Sequence, residues 1–198
     1  MSNYHQTDKS PRYYIWLQNI SRENKRDIYN GCIDFDIAAC HPTIFWKEVL
    51  KGHSTNPYMT TMIEEPEIFL QHLIDNKIHN RLYPHITVED ERAAAKNCRS
   101  RLFNLRPDGH HRKSGVVWYD NLQDFIINEM SSMGIDDPHK FFCRHERKIV
   151  EVAIDVIGKD HVALLMHDGM ICKDIENVNW QLSRLHLSTG YVWKAKAL

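Results

Sequence analysis

The chain has 198 residues, 42% of them apolar, and a formal net charge of −1. That length suits one domain with a large subdomain, and the apolar share is enough for a core. The near-neutral balance excludes a surface that binds nucleic acid everywhere, so any such affinity has to be local.

No run of 18 or more apolar residues occurs, so no helical span and no membrane partner are expected. Residues 1–11 are polar and lack the apolar stretch of a signal peptide, which points to an intracellular protein. The five cysteines are scattered, with no Cys-x-x-Cys pair. That pattern argues against a disulfide framework and against structural zinc.

In chain order, the first expected element is a short helix over 22–30, capped by Ser21. Residues 32–37 alternate as a strand does, with Ile33, Phe35 and Ile37 on one face and Asp34 and Asp36 on the other. Pro42 suits the first turn of a helix running to about Leu50. Residues 51–62 read as a loop, and 66–82 as one helix. Thr87 or Asp90 is placed to cap a further helix to about Leu105, followed by a loop over 106–116.

Helices are predicted at 119–132 and 138–157. In the second, Phe142, Ile149, Val152, Ala153 and Val156 recur at helical spacing and Gly158 ends the run. Two apolar strands, 161–166 and 170–173, flank a His167-Asp168-Gly169 turn. A helix at 174–187 and a strand at 190–196 complete the chain. Strands far apart with helices between them predict an α+β fold with an antiparallel sheet.

Two acidic positions stand out chemically. Asp34 and Asp36 end one apolar strand, and Asp168 tips an apolar hairpin. A carboxylate beside Leu164, Leu165 and Met166 is costly unless it is solvated or binds a cation. Carboxylates brought together from separate strands suit magnesium-assisted phosphoryl transfer, because the hard cation takes carboxylate, phosphate and water oxygens. An Asp-Gly turn also forms for backbone reasons alone. Between Arg92 and Lys113 lie seven basic residues and one acid, Asp108, which is the locally basic stretch of the chain.

Four blocks in order resemble family A polymerases, the group of bacterial DNA polymerase I and the single-subunit phage RNA polymerases. Leu17-Gln18-Asn19-Ile20 is similar to the family's LQNIP segment, with Lys25 and Arg26 after it. Asp36-Ile-Ala-Ala-Cys-His41 resembles the first metal motif, and Arg92-Ala-Ala-Ala-Lys96 the R-x-x-x-K of the fingers helix. Leu164-Leu-Met-His167-Asp168 resembles the second metal motif. Gly169 departs from the glutamate of the DNA enzymes. Phe103-Asn104 replaces the aromatic-glycine step after the fingers lysine. His-Pro-Thr-Ile at 41–44 is closer to the Tyr-Pro-Ser-Ile of family B.

The resemblance implies one polymerase-type domain, with a palm over about 12–50 and 138–198 and a helical fingers region over about 51–137. It implies two Mg2+ ions held by Asp36 and Asp168, with Asp34 assisting. Lys96 and Arg92 would meet the incoming triphosphate, one helical turn apart on one face. His41 would pack under the sugar and Phe103 near the nascent base pair. Arg22, Arg26, Arg99 and His167 would contact template or primer.

Nucleic acid and nucleoside triphosphates are the implied partners. No thumb or exonuclease region precedes the first block, so a protein partner supplying a thumb is also implied. A bulky His41 under the sugar predicts DNA rather than RNA synthesis by steric rejection of the 2′-hydroxyl. Two other readings stay open: a non-catalytic nucleic-acid-binding palm subunit, and another magnesium-dependent phosphotransferase or nuclease.

Overall fold

A computed structural model describes residues 5–7, 10–14 and 22–198, with side chains from residue 23 onward. The expected α+β class with an antiparallel sheet is observed. Among the described residues there are nine α-helices, a two-stranded ribbon and a four-stranded antiparallel sheet. None of these helices is long and apolar enough to cross a membrane. The chain forms two compact units, Met1–Cys40 with Phe142–Leu198, and His41–Phe141.

The first unit contains the sheet. Strands β1 (His5–Thr7) and β2 (Ser10–Tyr14) form the ribbon, and α1 spans Arg22–Ile28. The proposed cap Ser21 lies outside the described residues. The sheet is built from β3 (Ile33–Ile37), β4 (Val162–Leu165), β5 (Gly169–Cys172) and β6 (Trp193–Ala197), in the order β4-β5-β3-β6. The period of two in β3 buries Phe35 and Ile37 on one face with Met170, Cys172 and Trp193. Opposite pairs in an antiparallel ladder share a face, so Asp34 lies beside Lys196, and Asp36 beside Lys194.

The long helix α8 (Pro138–Ile157) ends at Gly158, whose φ of 99° suits glycine. The expected apolar stripe holds at Phe142, Ile149 and Ala153, but Val152 is 41% exposed. Helix α9 (Val178–Thr189) starts four residues later than expected. Asp174 and Asn177 hold left-handed φ values before it, and the Asn177 side chain caps it by accepting from the Trp180 N–H. A corner follows, in which the Trp193 indole N–H donates to Thr189 Oγ1 at 2.9 Å and sets β6 against α9.

The second unit is helical. Helix α2 (Cys40–Ile44) begins two residues before Pro42 and continues as a π-helical turn over Phe45–Val49. The expected loop 51–62 is a helix from its middle onward, α3 (Pro57–Glu64). Asn56 accepts from the N–H groups of Tyr58 and Met59 at 3.0 and 3.3 Å, Pro57 occupies the first turn, and Met59 and Met62 are buried. The expected helix 66–82 is two, α4 (Pro66–Asp75) and α5 (Ile78–Leu82), separated where Lys77 adopts φ 50°.

Helix α6 (Glu91–Arg101) is capped by Asp90, which accepts from the Ala93 N–H at 2.9 Å, and ends four residues sooner than expected. Helix α7 is Val117–Ser132. Its entry is held by Asp120, which accepts from Ser114 N–H, Ser114 Oγ and Gly115 N–H at 2.8–2.9 Å.

Candidate carboxylate site

The register of β3 against β5 places Asp36 opposite Gly169, one residue past Asp168. The Ile37 N–H donates to the Asp168 carbonyl oxygen at 3.0 Å, fixing the end of β3 to the hairpin turn. The turn itself is closed by the Met166 N–H donating to the Gly169 carbonyl at 2.9 Å. Two carboxyl groups separated by 131 residues of chain therefore meet, close enough for each to act on the other.

Electrostatics follow from that geometry. Loss of water around the carboxyl group, then repulsion from Asp168 and Asp34, push Asp36 up to about 7, while Lys194 pulls the other way. Asp36 remains open to solvent, so water screens part of the repulsion. The two carboxyls titrate as one coupled pair. A divalent cation relieves this repulsion, and two carboxylates with solvent access match the oxygen chemistry of Mg2+, which completes its shell with water and phosphate oxygens. Asp36 and Asp168 would hold the ion. Asp34 adds negative charge from the same strand face, but among the described residues no three His, Cys, Asp or Glu side chains gather as a metal-binding group.

Gly169 accounts for the departure from the expected glutamate in steric terms. A Cβ built there would run into the Phe35 carbonyl oxygen and lie 3.1 Å from the Asp36 Cα. The strands approach so closely that no side chain fits beside Asp168.

Two lysines that were given no site role in the sequence belong here: Lys25, named there only beside the Leu17–Ile20 block, and Lys194, not singled out at all. Lys194 faces Asp36 across β3 and β6, and Lys25 of α1 reaches the hairpin, its ammonium donating to Met166 Sδ at 3.9 Å. The alternation Trp-Lys-Ala-Lys-Ala in β6 was a readable signal that Lys194 and Lys196 share a face. His167 is half-buried within the turn. Arg26 lies exposed on α1. The side chain of Arg22 and the Leu17–Ile20 block lie outside the described residues.

The remaining expected site residues belong to the helical unit. Lys96 is exposed on α6. Arg92 is exposed too and forms an ion pair with Glu67 of α4. Arg99 is not a projecting surface cation: its Nε is buried without a hydrogen-bond partner among the described residues. Burial lowers its affinity for a proton, against the pull of Glu67.

The basic stretch is also neutralised locally. Arg101 donates to Gln123 Oε1 and to the Arg112 carbonyl, both at 2.9 Å, while Lys113 pairs with Asp124 and Arg106 approaches Asp137 at 4.0 Å. His41 is half-buried in α2. Phe103 is wholly buried, edge-on to Phe45 with 5.5 Å between ring centroids. It is a core side chain with no face for a base, so the stacking role expected for it is given up.

No protein-family profile, curated protein sequence or solved structure matches the chain.

Proposed function

We propose that this chain carries out template-directed nucleotidyl transfer inside the cell, with Mg2+ held by Asp36 and Asp168. The observation that carries this reading is the contact between those two carboxyls, delivered by strands distant in sequence and left in mutual repulsion. Carboxylates brought together at strand ends, one of them pushed far above its ordinary range, mark a candidate functional site, and a bound cation would offset their repulsion. Bound Mg2+ supplies charge neutralisation at the reacting phosphate.

The chain's own residues have separate tasks. Asp36 and Asp168, once ionised, hold and orient the ion. Lys96, exposed and one turn from Arg92, contributes a point charge toward the triphosphate. His41 excludes a 2′-hydroxyl by bulk, which favours DNA synthesis over RNA synthesis. Template, primer and deoxynucleoside triphosphates are the partners.

A second reading is favoured by one observation. Lys194 stands directly across from Asp36 and is a fixed cation that partly substitutes for a metal. It suits a palm-type subunit that binds nucleic acid without chemistry.

Primer extension with purified protein separates the two. With Mg2+ and dNTPs the wild type should extend a primed template, NTPs should serve less well, and Asp168→Asn should lose at least about a hundredfold in rate. Template binding with no extension under any of these conditions establishes the non-catalytic reading. Extension that is unchanged in Asp168→Asn moves the chemistry elsewhere.

A further inference from the structure

The sheet face that bears the carboxylates also bears a row of cations. Lys194 and Lys196 alternate with Trp193, Ala195 and Ala197 along β6. The register sets Trp193 and Ala195 opposite Ile37 and Phe35, which are buried. Both lysines therefore stand on the other face, with Asp34 and Asp36. β6 is an edge of the sheet and, among the described residues, pairs with β3 alone.

Neither ammonium is neutralised at close range. Both side chains are exposed, and among the described residues neither forms an ion pair or a hydrogen bond, although each lies across from an acid. Arg92, Arg106 and Lys113 of the helical unit, by contrast, each end near a carboxylate. A lysine side chain is also two atoms longer than that of an aspartate. Starting opposite Asp36, Lys194 is long enough to reach past that carboxylate to whatever it holds.

The spacing selects a polymer over a single small anion. Alternate residues of a strand are about 6.8 Å apart, and their side chains stand parallel. Two parallel cations do not close on one phosphate group, but they suit a chain whose charges recur, as those of a nucleic-acid strand do. An extended acidic peptide has a similar period. Mg2+, however, takes one or two carboxylates from a protein and then phosphate oxygens. Asp36 and Asp168 already supply the carboxylates, so a phosphate is the better neighbour for them. Asp34 repels phosphates laid over β3, which leaves the line of β6 as the path.

We propose that Lys194 and Lys196 form a track for the sugar-phosphate backbone of a nucleic-acid strand whose end lies at Asp36 and Asp168. The inference deepens the nucleic-acid part of the proposed function and rests on it. Each ammonium donates to a phosphate oxygen as a point charge and reads no base, so it positions the strand without choosing its sequence. Lysines on an edge strand also deter the pairing of sheet edges. The two roles differ in their response to salt.

The test is anisotropy of a labelled single-stranded oligo-dT with the full chain over a range of salt, without Mg2+ or triphosphate. On a single strand each neutralised phosphate adds about 0.7 to the slope of log affinity against log salt. Lys194→Gln combined with Lys196→Gln should make the slope shallower by about 1.4 and weaken binding about tenfold or more at about 0.1 M salt. Both side chains are exposed, so the melting temperature should not move. Lys194→Arg combined with Lys196→Arg keeps the charges and should keep the wild-type slope.

An unchanged slope in the glutamine pair, with or without self-association, overturns the proposal and leaves the lysines as guards of the edge. Poly-glutamate that binds as tightly as an oligonucleotide of equal charge overturns it too, as does a wild type that binds no strand. Primer extension reports separately on nucleotidyl transfer. A shallower slope in the glutamine pair with no extension by wild type supports the track and removes the transfer reading. Intact extension with an unchanged slope does the reverse.

Discussion

In the sheet unit, Asp36 and Asp168 arrive from distant strands and end against each other, with Asp34 adding a third negative charge. In the helical unit, Arg92, Lys113 and Arg106 each end near an acid, and Arg101 is held by an amide and a carbonyl. A basic run in a sequence suggests an anionic partner. Here most of its charge is used within the unit, which is the common fate of surface cations. The acids in the sheet show the opposite behaviour. Their neighbours include more negative charge, offset by Lys194 alone among the groups that act on Asp36. Concentrated like charge marks a candidate site more sharply than the length of a charged run does.

The largest expected effect tests the structural side of this contrast. Phe103 was placed by resemblance near a base pair, but it is buried to 0% exposure against Phe45. Phe103→Ala should therefore cost about 3–5 kcal/mol of stability, measured by urea unfolding, as deletion of a large core ring does. A loss under about 1 kcal/mol, together with weakened template binding, would return Phe103 to the surface role.

The elements that were legible in the sequence share strong periodicity. β3 alternates cleanly, α7 and α8 run for four turns or more, and the hairpin at 166–169 is bounded by apolar residues on both sides. What failed was local. The polar stretch before Tyr58 hid the helix that Asn56 and Pro57 start, because two capping signals were outweighed by weak hydrophobic spacing. The break at Lys77 depends on a lysine with positive φ, which has no mark in the sequence, whereas Asp174 and Asn177 before α9 are of the two types that adopt that conformation most readily after glycine.

The aspartate pair was readable from strand ends. Lys194 was not, because the register of β6 on β3 is a tertiary fact that no local pattern carries. Asp36 and Gly169 likewise become opposite only through the pairing of β3 with β5.

A smaller effect tests the electrostatic side. Asp36 is raised to about 7 in the folded protein, from an ordinary carboxylate value of 3.8. Between those values the folded state binds the extra proton, so stability from this group is fully present below about 4 and is lost as pH rises toward 7. Above that the loss is complete. Asp36→Asn removes the effect, so its stability relative to wild type should rise between pH 4 and pH 7 and then level off. If the pair holds Mg2+ as proposed, the ion binds its ionised form and releases protons, so Mg2+ should restore wild-type stability above pH 7 and do nothing for Asp36→Asn. A difference between the two proteins that does not change with pH would mean that the carboxyls are not coupled.

The smallest expected effect concerns the basic run. Lys113 and Asp124 pair across the loop before α7, with both side chains about half exposed. An exposed ion pair contributes about 0–1 kcal/mol, because water screens it and two side chains lose freedom to form it. Asp124→Ala should therefore leave the unfolding midpoint nearly unchanged. It should have another consequence, since it releases one cation that was held internally. If nucleic acid binds along 92–113, freeing Lys113 adds one phosphate contact, so affinity rises at low salt and the slope of log affinity against log salt steepens by about one. Asp124→Ala with unaltered affinity and slope, measured by anisotropy on a labelled duplex over a range of salt, shows instead that the run serves the helical unit itself. The same titration on Lys96→Ala then tells whether the exposed lysine acts on the strand, which changes the slope, or on the triphosphate alone, which does not.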